Sequence, residues 1–294
     1  MKLNLHIDKV TDNFNVFAKK YLATNKDGSI LWNAMNYGVM NGGKRLRPFL
    51  IMELSKFLKI KKSNYMRLAL SAEFVHAYSL IHDDLPGMDN DDLRRGKPTN
   101  HKKYGEATAI LAGNSLLTLA FEILSDVKTH KNPRIRLRLI ELLSNLSGNK
   151  GLAGGQSLDL LYEKKKVTLK QVIKMHELKT AKLFEFCIIG SLILSGSEHK
   201  SRLKDYRRYG KNFGLIFQAT DDLLDYVGNK THTGKGTGKD FKKNKGNILR
   251  YKSVGDVKKY CEELAIEATK DNSEFSKNKN PLAAIIFHII HRIS

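Results

Sequence analysis

The chain has 294 residues, of which 41% are hydrophobic and only five are proline, enough to build a sizeable helical core. Its 51 Lys and Arg residues outnumber its 30 Asp and Glu residues, which gives a formal net charge of +21 at pH 7. No run of 18 or more apolar residues occurs and the N-terminus lacks the apolar stretch of a signal peptide, so we expect a cytoplasmic protein without a stable membrane insertion.

The apolar residues recur at helical spacing along most of the chain, and no segment alternates convincingly as a strand does. Glycine and proline interrupt these segments, but no linker divides the chain into two hydrophobic halves. We therefore predict an all-α protein in which residues 1–294 form one large helical bundle, with about ten or more helices. The clearest predicted helical segments, in chain order, are residues 65–75, 109–124, 137–146, 172–194 and 206–226.

The first acidic cluster, residues 83–92, follows an apolar segment and begins Asp-Asp-Leu-Pro-Gly-Met-Asp. Pro86 lacks a backbone donor and prevents a regular helix, so we expect a distorted helix end that returns Asp89 to the side of Asp83. Carboxylates concentrated in a basic chain repel one another unless a cation lies between them. Ligand sets made only of oxygen favour hard divalent ions such as Mg²⁺.

A basic pair, Arg94 and Arg95, follows the first acidic cluster directly. Their planar guanidinium groups match the geometry of phosphate oxygens. Acidic side chains that suit a metal therefore stand beside basic side chains that suit an anion. This combination predicts a site for a metal-bound phosphate or diphosphate.

The second acidic cluster, residues 221–225, also follows an apolar helical segment. Asp221 and Asp225 are four residues apart and share one helix face, whereas Asp222 points about 100° away and is the weaker ligand candidate. A single cluster of this kind is usually a solvated helix face. Two of them at the ends of buried helices predict a pair of metal-binding carboxylate groups.

These motifs together resemble the short-chain trans-polyprenyl diphosphate synthase family. Residues 83–89 are similar to the family's first aspartate-rich motif in its bacterial form, and residues 221–225 are similar to the second. The segment from Gly42 to Pro48 resembles the N-terminal diphosphate-binding segment. The similarity is greatest to the bacterial members that make farnesyl diphosphate.

The resemblance implies an isoprenoid synthase fold with a central active-site cavity. It implies head-to-tail condensation of isopentenyl diphosphate with the allylic substrates dimethylallyl and geranyl diphosphate, giving farnesyl diphosphate. It also implies a homodimer that uses Mg²⁺, with three ions per site and Mn²⁺ as a substitute. The lysines of the chain are scattered rather than gathered on one element, so a nucleic-acid partner is not expected.

The resemblance assigns roles to individual residues. The metal ligands are Asp83, Asp84, Asp89, Asp221 and Asp225. Isopentenyl diphosphate is assigned to Lys44, Arg47, His76 and Arg95, and the allylic diphosphate to Arg94, Lys179, Lys235 and Lys245. Thr180 and Gln218 line the ionising carbon, and the catalytic set is Asp83, Asp89, Lys179, Thr180, Gln218 and Asp221.

Product length is predicted to depend on the residues that precede the first acidic cluster. Tyr78 and Ser79 stand five and four residues before Asp83, which places Tyr78 a little over one helical turn deeper. A ring there is expected to form the floor of an apolar pocket. By resemblance, an aromatic residue at this position goes with a fifteen-carbon product.

Three alternatives remain open at this point. A geranylgeranyl diphosphate synthase differs mainly in the residues below the first cluster, and Tyr78 argues against it. A terpene cyclase normally carries a different second metal site, so the second acidic cluster argues against that class. A non-catalytic basic module that binds nucleic acid or a partner is the third. One departure from the family pattern stands out: residues 246–249 replace its Thr-aromatic-Pro stretch.

Overall fold

The computed structural model describes residues 3–163, 165–197, 200–227, 246–270, 274–275 and 281–292. Helices form nearly all of the regular structure in these ranges, so the predicted all-α fold class is confirmed. The α-helices, numbered in chain order, are α1 (Leu3–Thr24), α2 (Ile30–Met40), α3 (Leu46–Phe57), α4 (Lys62–Asp83), α5 (Asn100–Tyr104), α6 (Glu106–Ser125), α7 (Pro133–Ser147), α8 (Leu152–Tyr162), α9 (Leu169–His176), α10 (Lys182–Leu194), α11 (Lys200–Val227), α12 (Val254–Thr269) and α13 (Pro281–His291).

Two helices, α4 and α10, form the centre of the bundle. Every residue of α10 from Leu183 to Leu194 is buried, and the helix packs against α3, α4, α7 and α11. A helix that is buried on nearly all sides has no distinct polar face, which explains why the helical face pattern is weak there. The helix α4 is buried over most of its length and ends at the first acidic cluster. The packing of α4 in the core therefore fixes the position of Asp83 at its C-terminal end.

The described residues include one short antiparallel ribbon, for which the sequence showed no alternating pattern. Its strands, β1 (Leu93–Arg94) and β2 (Lys97–Pro98), are two residues each, too short to show an alternating pattern. The turn between them contains Arg95 and Gly96, both with positive φ, as two-residue hairpins require. The ribbon holds the basic pair beside the C-terminal end of α4.

The predicted helix 172–194 is interrupted. Between α9 and α10, residues Glu177–Ala181 form a π-helical turn. Two glycines let neighbouring helices approach this turn closely. A Cβ on Gly155 in α8 would lie 2.1 Å from the Lys179 backbone nitrogen, and one on Gly214 in α11 would lie 2.3 Å from the Ala181 Cα. π-Helical turns are rare and often occur at functional sites.

One helix among the described residues, α6, is long and apolar enough to cross a membrane by length and composition. The core helix of a water-soluble protein passes the same test, and α6 packs on α2 and α4 within the bundle. The two cysteines, Cys187 and Cys261, are both buried and both free, and free cysteines commonly pack as small hydrophobic residues.

Candidate active site

A cavity of about 890 Å³ opens at the end of the bundle where α4, α8, the π-helical turn and α11 come together. One part of its wall is charged and the rest is largely apolar, so it suits a molecule with an anionic head and a hydrocarbon tail. The charged wall includes Arg47, Asp83, Arg94, Arg95, Lys179 and Asp221. The apolar wall includes Tyr78, Leu80, Leu152, Leu160, Leu161 and Phe217.

Both acidic clusters reach this one cavity. Asp83, the last residue of α4, lines it, and so does Asp221 on α11. The two carboxylates come from opposite halves of the sequence, and the fold alone brings them together. This placement is the one that the sequence required for a shared metal site.

The chain turns back on itself after Asp83, as the sequence predicted for this distorted helix end. The backbone N–H of Asp89 donates to the carbonyl of Asp83 over 2.8 Å, and the N–H of Asn90 donates to the carbonyl of Leu85. The intervening segment contains Pro86, which is exposed. Asp89 therefore lies beside Asp83, close enough for its charge to disfavour ionisation of Asp83.

Arg94 binds the second residue of the first acidic cluster. Its Nε lies 2.8 Å and 2.6 Å from the two carboxylate oxygens of Asp84, and its Nη2 donates to Asp84 as well. Asp84 is 2% exposed, so the pair is well shielded from water. Asp92 pairs with Lys102 at 2.8 Å.

Asp83 titrates far from its ordinary range. Burial raises its pKa to about 6, and the negative charge of Asp89 adds to the rise. The positive charge of Lys179, and that of Arg94, act in the opposite direction. A carboxylate held in this way gains a large electrostatic benefit from a nearby divalent cation.

Asp221 behaves similarly at the opposite wall. Loss of solvent raises its pKa to about 6, while Arg292 and Lys44 oppose the rise. The guanidinium of Arg292 lies 3.8 Å from the Asp221 carboxylate and stacks over the ring of Phe217. Sequence interpretation did not assign a role to Arg292. The only signal was the basic pair His291-Arg292 in the C-terminal segment.

Lys179 projects from the π-helical turn into the cavity and is held by a buried acid. Its Nζ donates to the Asp159 carboxylate over 2.5 Å, and Asp159 is 4% exposed. Burial disfavours the charged amine, but Asp159 and Asp83 outweigh that effect and raise the pKa of Lys179. The lysine therefore carries its charge at any ordinary pH. The sequence placed Asp159 in a Gly-Gly-Gln-x-x-Asp motif without indicating its partner.

The predicted isopentenyl diphosphate residues gather near one another. Arg47, His76 and Arg95 line the cavity, and Lys44 lies close enough to Asp221 to affect its pKa. Arg47 is 8% exposed and stacks over Phe184, and its buried Nε meets no hydrogen-bond acceptor in the described parts of the chain. A desolvated guanidinium with a donor left over is suited to an incoming anion.

His76 stands within this group as a neutral ring. Burial lowers the pKa of His76 well below its ordinary value, and the positive charges of Arg47 and Arg95 lower it further. A neutral imidazole can donate one hydrogen bond to a phosphate oxygen without adding another charge.

Glycine is required where the N-terminal segment meets the basic pair. Gly42 and Gly43 both have positive φ, and a Cβ on Gly43 would lie 2.6 Å from the guanidinium of Arg95. Arg95 donates to the carbonyl of Gly42. The segment that carries Lys44 is thereby tied to the ribbon that carries Arg95.

Thr180 and Gln218 lie side by side on the cavity wall. The Thr180 hydroxyl donates to the Gln218 side-chain oxygen over 2.7 Å. Tyr78 and Ser79 line the same cavity on the α4 side, and the Tyr78 ring packs edge-on against His82 at 5.1 Å between centroids. The predicted positions for the reacting carbon and for the pocket floor thus belong to one space.

Two of the predicted substrate residues, Lys235 and Lys245, lie outside the described residues. The atypical segment that follows them is described. Gly246 and Asn247 are buried, and Ile248–Arg250 form one 3₁₀ turn.

The donors at the cavity fit a magnesium ion that takes further ligands from substrate. Within the described ranges, no group of three His, Cys, Asp or Glu side chains is close enough to hold a metal unaided. Mg²⁺ is commonly bound by one or two carboxylates together with waters and substrate phosphates. Asp83, with Asp89 beside it, and Asp221 supply carboxylates of this kind on two sides of the cavity.

Comparison with known proteins agrees with this geometry. The sequence profile described as "Polyprenyl synthetase" matches residues 29–285. The farnesyl diphosphate synthase of Escherichia coli is 40% identical over 88% of this chain and 88% of its own length. That of Bacillus subtilis is 42% identical over 78% and 77%. Geranylgeranyl diphosphate synthases match at 36% and 37% identity.

Comparison with solved structures supports the same family. A geranyltransferase from Helicobacter pylori, complexed with magnesium and isoprenyl diphosphate, superposes with a TM-score of 0.82 at 32% identity, over 99% of this chain and 97% of the other. The chain therefore belongs to the polyprenyl synthetase family, and the family predicted from the two acidic clusters is confirmed.

Proposed function

We propose that the chain is a farnesyl diphosphate synthase. It condenses isopentenyl diphosphate head-to-tail with dimethylallyl diphosphate and then with geranyl diphosphate. The observation that carries this proposal is that one cavity combines an aspartate from each half of the sequence, a group of arginines and a largely apolar remaining wall. The similarity to bacterial farnesyl diphosphate synthases supports the same activity.

The first step is ionisation of the allylic diphosphate. The carboxylates of Asp83, Asp84, Asp89, Asp221 and Asp225 are proposed to hold Mg²⁺, with three ions in the complete site, and the metal would supply positive charge for the leaving diphosphate. Lys179 is fixed in place by Asp159 and is permanently protonated, so it can bind the diphosphate oxygens directly. Lys235 and Lys245 are proposed to bind the same group. Preorganised positive charge of this kind stabilises the developing anion.

The second step is attack by the double bond of isopentenyl diphosphate on the allylic cation. Thr180 and Gln218 line the cavity, and their side-chain oxygens are proposed to stabilise positive charge on carbon. Arg47, Arg95 and the neutral His76, with Lys44, are proposed to hold the second diphosphate. The proton lost from the new carbon chain is taken up by the departing diphosphate, so no protein nucleophile is needed.

A product assay tests this function. Labelled isopentenyl diphosphate is supplied with dimethylallyl or geranyl diphosphate, with Mg²⁺ or with a chelator, and chain length is read by chromatography. We expect farnesyl diphosphate from either starter and no product without the metal. A protein that makes no prenyl product, or that makes it equally well after chelation, would contradict the proposal.

The helix α6 supports the proposed homodimer. It has no charged residue between Glu106 and Glu122, and Ile110 and Leu111 are 43% and 54% exposed on one of its faces. Apolar side chains grouped on one exposed face are typical of protein interfaces. Light scattering on the purified protein should give twice the 33.3 kDa chain mass.

We further propose that the dimer acts in the cytoplasm.

A further inference from the structure

Asp222 lies inside the second acidic cluster, but its carboxylate is turned toward protein groups. The side chain is 5% exposed and is absent from the cavity wall, whereas the neighbouring Asp221 lines the cavity. The helical rotation of about 100° between consecutive residues explains the difference. The buried carboxylate therefore has a role other than facing substrate.

One oxygen of Asp222 holds the amide of Gln218. The Gln218 Nε2 donates to Asp222 Oδ1 over 2.9 Å, and the Gln218 Oε1 accepts from the Thr180 hydroxyl over 2.7 Å. An ionised carboxylate can only accept hydrogen bonds, so the Gln218 NH₂ must face it. A flipped amide would place two oxygens against each other. The carbonyl oxygen of Gln218 is thus directed toward Thr180 on the cavity wall.

The other oxygen of Asp222 is anchored by the atypical segment that follows residue 245. The backbone N–H of Ile248 donates to Asp222 Oδ2 over 3.0 Å, and His176 Nε2 lies 3.6 Å from the same oxygen. His176 Nε2 is also 3.2 Å from the carbonyl of Gly246, and Asn247 accepts from the N–H of Leu249. The segment that lacks the family's Thr-aromatic-Pro stretch is therefore still held at Asp222.

We propose that Asp222 is a positioning residue that sets the orientation of the Gln218 amide and so directs its carbonyl oxygen at the carbon that becomes positive on ionisation. This inference rests on the proposed function. A carbonyl dipole fixed in advance stabilises developing charge without reorganising in the transition state. The order of contacts, from Ile248 through Asp222 and Gln218 to Thr180, supplies that rigidity.

The substitution Asp222→Asn tests the orientation. If the Asn oxygen continues to accept from the Ile248 N–H, the Asn NH₂ faces Gln218. The Gln218 amide then flips and presents its own NH₂ toward the reacting carbon. We expect kcat to fall about 10- to 100-fold, as for other outer partners of a reacting group, with unchanged KM values and an unchanged Mg²⁺ requirement. A raised Mg²⁺ requirement would instead identify Asp222 as a metal ligand and overturn the proposal.

An exchanged pair provides a rescue that a purely structural role would not give. In Gln218→Glu alone, two carboxylates face each other. In the double variant Asp222→Asn with Gln218→Glu, the Asn NH₂ can donate to the Glu carboxylate, which keeps an oxygen beside Thr180 at the same total charge. We expect the double variant to turn over faster than either single variant. If the fold losses in kcat of the two single variants multiply in the double variant, the proposal is overturned.

A measurement without turnover separates this inference from the proposed function. The Gln218 side-chain NH₂ gives an NMR signal, which can be assigned by its loss in Gln218→Glu. In the unsubstituted protein we expect slow hydrogen exchange at this group, and in Asp222→Asn faster exchange and a shifted resonance. An unprotected Gln218 NH₂ in the unsubstituted protein would overturn the inference even if Asp222→Asn did not fold. Failure of the product assay alone would contradict only the function.

Discussion

The two cavity carboxylates, Asp83 and Asp221, are the residues on which the chemistry depends. Desolvation by the surrounding protein raises both pKa values to about 6, although 43% of the Asp221 side chain remains exposed. The nearby cations Lys179, Lys44 and Arg292 only partly offset that rise. Both groups therefore favour binding of a divalent cation when they are ionised.

Binding of Mg²⁺ should weaken as pH falls through 6. Protons compete with the metal for these carboxylates, which are ionised at pH 7 and mostly protonated at pH 5. Each ligating carboxylate should contribute about a tenfold loss of Mg²⁺ affinity between pH 7 and pH 5. Calorimetric titration with Mg²⁺ of the protein saturated with inorganic diphosphate measures this, because the site takes further metal ligands from the diphosphate. The variant Asp221→Asn should show a shallower dependence, and equal affinity at both pH values would refute the assignment.

Tyr78 should limit the length of the product. Its ring lines the apolar part of the cavity and packs on His82. Replacing the ring by a methyl group in Tyr78→Ala opens space below the first acidic cluster, so we expect products of twenty carbons or more. The matched variant Tyr78→Phe keeps the ring and should still make the fifteen-carbon product. Chromatography that finds only farnesyl diphosphate from Tyr78→Ala would count against this role.

Residue types at the site were predictable from the sequence, but their partners were not. The two acidic clusters predict a metal ion, and the basic pair predicts an anion, because charged side chains are costly to bury without a counter-charge. Nothing in a single sequence shows that Arg94 binds Asp84 or that Lys179 binds Asp159, since each pairing depends on how distant helices pack. The part played by Arg292 beside Asp221 was missed for the same reason.

Helices were predicted well where the apolar pattern is periodic, and less well where neighbouring helices decide the geometry. The predicted segments 109–124 and 137–146 lie inside α6 and α7. The π-helical turn at Glu177–Ala181 left no trace in the periodicity. It is shaped by close contact with Gly155 and Gly214, and such contacts appear only in three dimensions.

The π-helical turn should be sensitive to the glycine packed against it. In Gly155→Ala the new Cβ would lie 2.1 Å from the Lys179 backbone nitrogen, so α8 or the turn must move. We expect a loss of about 1–3 kcal/mol in the free energy of unfolding, and a lower kcat because Lys179 is displaced. Urea unfolding and steady-state kinetics measure the two effects.

A glycine in open surroundings gives the matched control. Gly255 lies in the first turn of α12, and a Cβ there would meet nothing closer than 3.8 Å. Gly255→Ala should therefore be neutral or stabilise the fold by up to about 1 kcal/mol. If Gly155→Ala unfolded at the same urea concentration as Gly255→Ala, the close packing at the π-helical turn would not matter for stability.

At the scale of the whole molecule, a strongly basic chain gathers acid from both halves of its sequence at one cavity. The net charge of +21 should attract polyanionic diphosphates over a long range. The two acidic clusters supply the local negative charge that a metal ion requires. The helices α4 and α11 both contribute residues to the hydrophobic core and carry the two acidic walls of the cavity. Function therefore follows from the relative position of two helix segments.

Diffraction from crystals grown with Mn²⁺ and inorganic diphosphate tests that position most directly. Mn²⁺ replaces Mg²⁺ at oxygen sites and is located by its anomalous scattering. We expect anomalous peaks about 2.0–2.3 Å from carboxylate oxygens of Asp83 and of Asp221, with one diphosphate bridging the metals. Bound diphosphate with no manganese at either aspartate, or with manganese at only one of the two clusters, would contradict the account.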